Sequence, residues 1–97
     1  MIAYIYLKTR NKLIKDIAVS YPEGAEAEVA LQICLEQIPL DWDLPRPMIL
    51  HRHIRDFQAF GRAVFQQDHF VEPFRYSLLE IEAADRPDGI DEGYDED

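Results

Sequence analysis

AEAEVALQICLEQI, residues 25–38, is the stretch around which the rest of the chain is organised. It contains no Gly or Pro, and its Ala, Leu, Glu and Gln lose little rotamer freedom in a helix. At about 100° per residue, Ala27, Ala30, Leu31, Cys34, Leu35 and Ile38 fall on one face, widened at its edge by Val29 and Ile33. Glu28, Gln32 and Glu36 line the opposite side at i, i+4 steps. An apolar arc this broad needs covering on more than one side. The segment is therefore expected to be a central helix lying on a sheet and flanked by a second helix.

Working outward, Ser20-Tyr21-Pro22-Glu23 matches a capping box, Ser followed three residues later by Glu, with Pro tolerated in a first turn. Gly24 leaves the helix start at or just after it. Pro39 ends the helix. Upstream, Ile2–Thr9 is rich in β-branched and aromatic residues and predicts a strand. Ala3, Ile5 and Leu7 share one face; Ile2, Tyr4, Tyr6 and Lys8 share the other. Arg10-Asn11-Lys12 predicts a turn, with Asn11 the residue that best tolerates a left-handed backbone. Residues 13–20 predict the second strand of a hairpin.

Downstream, two prolines and two aspartates make residues 40–47 a loop, with Trp42 expected to fold back on the core or sit in an interface. Residues 48–50 fit either an edge strand or the start of the next helix. Residues 52–67 predict a second amphipathic helix, with Leu50, Ile54, Phe57, Phe60, Gly61, Val64 and Phe65 on one face. Gly61 there suggests close approach to another backbone. Arg52, Arg55 and Arg62 lie on its other face, and pairing with Asp56, Glu28 or acids of the C-terminal segment is expected. Residues 74–83 predict a third strand. The order β-β-α-α-β implies a small α+β domain over residues 1–84, a three-stranded antiparallel sheet (four-stranded if 48–50 joins it) with two helices on one face. Residues 85–97, rich in acids with Pro and Gly, are expected to be a disordered tail.

Charge narrows the function. Nineteen acids against ten Lys plus Arg leave −9. Residues 85–97 hold seven acids against Arg86, so the body carries only −3. Both parts oppose direct binding to nucleic acid or to an anionic membrane, which requires a basic footprint. No run of eighteen apolar residues occurs and no signal-peptide pattern is seen. The lone Cys34 fits a reducing compartment. A cytoplasmic location is expected.

If helices cover Ala3, Ile5, Leu7, Leu79 and Ile81, the outer sheet face shows Tyr4, Tyr6, Phe74, Tyr76 and Leu78, edged by Asp16, Glu80 and Glu82. Aromatic sheet faces stack nucleobases, but bordering acids repel phosphates, and Tyr-rich patches also serve protein interfaces. Glu28 and Glu36, Glu80 and Glu82, and the tail together can imitate a phosphate backbone. Helical residues four apart lie about 5–6 Å apart at Cβ, and duplex DNA offers a charge every ~1.7 Å of axis. His51, His53 and His69 with Cys34 do not converge as zinc ligands do, and His69–Asp68 has no nucleophile beside it. No catalysis, cofactor or metal is expected. The sequence reads as a non-enzymatic acidic interaction protein that blocks a basic nucleic-acid-binding protein or complex, a DNA-mimic inhibitor of the anti-CRISPR kind. Its candidate binding residues are Glu28, Glu36, Glu80, Glu82, Asp16, Tyr4, Tyr6 and Tyr76. The alternative is an accessory subunit or homodimeric module using the tyrosine face.

Overall fold

The computed structural model describes residues 1–84; the expected acidic tail lies outside the described residues. Strands β1 (Ile2–Thr9) and β2 (Lys12–Ser20) form the hairpin. Arg10 and Asn11 both take positive φ, 51° and 68°, the combination that a two-residue hairpin turn uses to match the twist of its strands. Helix α1 spans Ala27–Glu36 and helix α2 spans His51–Phe60. Strands β3 (Arg62–Gln66) and β4 (Leu78–Ala83) complete an antiparallel sheet of order β2-β1-β4-β3.

Both helices lie on one face, as expected. Ala3, Ile5, Leu7, Leu79 and Ile81 are fully buried, joined by Ala63 and Phe65 of β3, Leu31, Cys34 and Leu35 of α1, and Phe57 of α2. Glu28, Gln32 and Glu36 face solvent on α1. Val29 stays exposed and Ile33 half-buried, so the cover over α1 is narrower than its apolar arc. Trp42, in a 3-10 turn at Leu40–Trp42, folds back onto the core. Burial pushes the Cys34 thiol up to about 11, which leaves it neutral and unreactive.

Three expectations are corrected. First, the element order is β-β-α-α-β-β with four strands, and the fourth is not residues 48–50. Pro47 there makes a single bridge to Phe70, and Leu50 is the N-cap of α2. The fourth strand comes from residues assigned to the second helix. Gly61 takes φ 68° and ψ 26° as the left-handed C-cap of α2, and its carbonyl accepts the Ala83 N–H at 2.7 Å. Beyond it, Ala63 and Phe65 point inward while Arg62 and Gln66 stay exposed. Gly61 therefore serves by its φ, and its backbone does lie against another, that of Ala83 in β4. Gly61→Ala should lower stability by about 1–2 kcal/mol, the cost of a Cβ in the left-handed region, read as a melting temperature lower by several degrees.

Second, the capping box at Ser20 does not form. Ser20 closes β2, and Glu26 is the N-cap of α1 with no side-chain cap bond. The Ser20 backbone is instead tied to the other end of the helix. Gln37 Nε2 donates to the Ser20 carbonyl at 2.5 Å, and the Ser20 N–H donates to Gln37 Oε1 at 3.3 Å. Third, the last strand begins at Leu78, so residues 74–77 do not continue the sheet.

Candidate interaction surface

The uncovered sheet face is set out in rows by strand pairing. Ala18, Tyr4, Glu82 and Arg62 form one row; Asp16, Tyr6, Glu80 and Val64 the next; Leu13, Lys8, Leu78 and Gln66 the third. Tyr4 and Tyr6 stand two apart on β1 with ring centroids 6.3 Å apart, and Tyr4 is 40% exposed. Phe74 and Tyr76 do not join them. Phe74 is buried and stacks on Phe70 at 4.0 Å, and Tyr76 leans on Phe74 and the core. Their strand alternation is lost because the chain between Phe70 and Ser77 is a loop, so Tyr76 leaves the expected aromatic set.

Glu80 sits on this face yet is only 5% exposed. Arg62 Nε donates to its Oε2 at 2.5 Å and Lys8 Nζ to its Oε1 at 3.1 Å. Burial pushes its carboxyl up, but the bonds from Arg62 and Lys8 outweigh that and hold it below 4.5. Glu80 is therefore neutralised in place and offers no free charge to a partner. Lys8 also lies over the Tyr6 ring at 5.5 Å, and burial together with Glu82 and Glu80 raises the Tyr6 phenol, keeping it a neutral donor. Asp16 is exposed at the β2 edge and Glu82 is half-buried. This face mixes charges rather than presenting an array of carboxylates.

The arginines part company. Arg62 leaves α2 altogether and clamps Glu80; Arg55 pairs with Asp56 at 3.4 Å on the helix surface.

The acids concentrate elsewhere. Residues 16–45 contain Asp16, Glu23, Glu26, Glu28, Glu36, Asp41 and Asp43 and no Lys or Arg. All seven are exposed, and none forms an ion pair with another described residue. Six of them follow α1 and the turns at its two ends; Asp16 is the exception, lying on the open sheet face at β2. Glu28 and Glu36 stand about 12 Å apart along the helix at ~1.5 Å per residue, the rise of three to four base pairs at ~3.4 Å per nucleotide. Glu28, in the first turn, suits the positive end of the helix. Glu36 occupies the last turn, where an anion costs roughly 0.3–1 kcal/mol, so helix stability does not account for it.

His53 and His69, too far apart in sequence to be joined there, meet in the interior with ring centroids 4.5 Å apart. Among the described residues no group of three or more His, Cys, Asp or Glu is placed to hold a metal ion. A shallow depression of 520 Å³ is lined by Gln66, Gln67, Asp68, Ser77 and Leu78. The Ser77 hydroxyl there accepts the Arg10 N–H at 2.9 Å and lies 3.4 Å from Thr9 Oγ1. That is a loop-fastening role. Among the described residues no helix is long and apolar enough to cross a membrane. Comparison with protein-family models, with curated proteins and with solved structures finds no match for this chain.

Proposed function

We propose that the chain is a non-catalytic interaction protein that docks through the α1 side on a basic, nucleic-acid-binding protein and occupies the groove where a phosphate backbone would lie. The observation that carries the reading is the set of six exposed acids, Glu23, Glu26, Glu28, Glu36, Asp41 and Asp43, along α1 and its flanking turns, in a stretch (16–45) without a Lys or Arg. Held on a helix and short turns, these carboxylates keep set positions, so less ordering entropy opposes binding than for charges on a loose segment. An inhibitor of the anti-CRISPR kind is the specific form this reading takes. Glu28 and Glu36 are its central residues. Glu80 is set aside, since its charge is already spent on Lys8 and Arg62.

The full chain immobilised in a host lysate at about 0.1 M salt should retain a basic protein that duplex DNA displaces. Retention should fall steeply toward 1 M, where the Debye length drops from about 10 to about 3 Å. Glu28→Lys with Glu36→Lys should raise the off-rate at least tenfold. Retention that neither DNA nor this double change disturbs would remove the mimicry reading.

A second reading is favoured by the bare sheet face, where Ile2, Tyr4 and Leu13 are exposed beside Tyr6. A rigid tyrosine pair rimmed by Lys8, Arg62 and Asp16 has the composition of a protein interface, for an accessory subunit or a second copy. Loss of binding on Tyr4→Lys, with the α1 double change silent, would select it.

A further inference from the structure

His53 is 1% exposed and His69 4%, and their rings meet edge to face, with Phe65 stacked on His53 at 4.1 Å. Each imidazole does the same job in its own turn. Nδ1 of His53 accepts the Leu50 N–H at 2.9 Å, and Nδ1 of His69 accepts the Gln66 N–H at 2.9 Å. Each thus supplies the half of a capping box in which the third helical residue reaches back to the N-cap amide. A second tie crosses the same junction: the Met48 N–H donates to the His69 carbonyl at 2.8 Å, and Pro47 bridges Phe70. Together these fasten the segment leading into α2 to the turn that follows β3.

The chemistry of the acceptor makes the fastening conditional. A nitrogen that accepts a backbone N–H must keep its lone pair, so the His53 ring is held neutral with the proton on Nε2. A proton arriving on Nδ1 uses up that lone pair, and a donor then faces a donor. Nε2 of His53 has no hydrogen-bond partner of good geometry among the described residues, and the Val64 backbone is the one group of β3 that favours its proton.

We propose that His53, packed edge to face against His69, is an acid-released clasp: neutral, it holds the first turn of α2 against the turn after β3, and its protonation opens that junction while the sheet stays formed. The charged groups around it do not cancel this. From its own helix Arg52 opposes a charge on His53 and Asp56 weakly favours one, and the Val64 backbone favours one from β3. Asp68 lies 3.8 Å from His69 Nε2 but is largely in solvent, where its pull is screened. On α1, the buried titratable group is Cys34, neutral throughout this range. The charged residue of β3, Arg62, is engaged with Glu80 on the far sheet face.

Residue-resolved amide hydrogen exchange on the full chain between pH 7 and 5 tests the clasp. The Leu50 and Gln66 amides should exchange through a smaller opening than those of Ile5 and Leu79. The Leu50 opening constant, corrected for intrinsic exchange, should rise about tenfold per pH unit below ~6.5, the signature of one proton taken up by His53 on opening. In His53→Asn the amide oxygen can still accept the Leu50 N–H but cannot titrate, and the rise at Leu50 should vanish. His53→Gln, which offers the same amide acceptor on a longer side chain, keeps the test decisive if the first variant fails to fold. Exchange of Leu50 and Gln66 only in step with Ile5 and Leu79, pH-independent opening constants, or an unchanged rise in both variants would each overturn the clasp.

Discussion

Phe65→Ala is expected to cost about 3–5 kcal/mol, and Val64→Ala beside it less than about 1 kcal/mol. Phe65 is fully buried under α2, stacked on His53 and opposite Leu79. Val64 faces the open side of the sheet, opposite Glu80. A domain of this size has roughly 5–15 kcal/mol in total, so the first change takes it near the point of unfolding and the second barely registers. Leu31→Ala, at the centre of α1 and equally buried, belongs with Phe65 at about 2–5 kcal/mol. Urea titrations of the three variants read these differences directly. The contrast between neighbours is the informative part. A strand sends Val64 and Phe65 to opposite faces, whereas a helix through residues 52–67 places both on its apolar side. Equal losses at the two positions would restore the helix and remove β3.

Lowering the pH from 7 to 4 should cost about 3 kcal/mol of global stability through His53 alone, at ~1.36 kcal/mol for each pH unit that separates its unfolded and folded values. Burial first, then His69 and Arg52, lower its folded-state value from 6.5 to about 4. As pH falls through 6.5 the unfolded chain takes up a proton that the folded chain refuses until about 4. Stability is therefore complete above that window and declines steadily through it. Glu80, held below 4.5, acts in the same direction at the acid end, because the unfolded carboxyl protonates before the folded one. Denaturant midpoints at pH 7, 6 and 5 measure the slope, and His53→Asn isolates the histidine's share. Identical slopes in the parent and the variant would mean that the folded state admits a proton at His53 freely.

Much of the scaffold was legible residue by residue. The alternation of Ala3, Ile5 and Leu7 against Tyr4 and Tyr6 identified both the strand and the face that helices would cover. Asn11 marked the turn, and the i, i+4 spacing of Glu28, Gln32 and Glu36 marked the wet side of α1. The candidate surface was legible in part. Glu28, Glu36, Asp16 and Tyr4 are exposed as read. Glu80 and Tyr76 could not be placed, since one depended on which cations would face it and the other on where β4 begins.

Local periodicity therefore determined the hairpin, the two helices, the buried side of the sheet and the run of acids along α1. Each of these depends on side chains a few residues apart, and chain geometry alone brings such neighbours onto one face. Tertiary structure decided what happens after Gly61. Residues 62–66 suit a helix or a strand by pattern, and the vacant edge of β4 made them a strand by satisfying their backbone groups in the ladder. Tertiary structure also paired Lys8 and Arg62 with Glu80, across 72 and 18 residues. It brought His53 against His69 from opposite sides of β3, because burial leaves a polar ring no option but to find a partner wherever the fold supplies one.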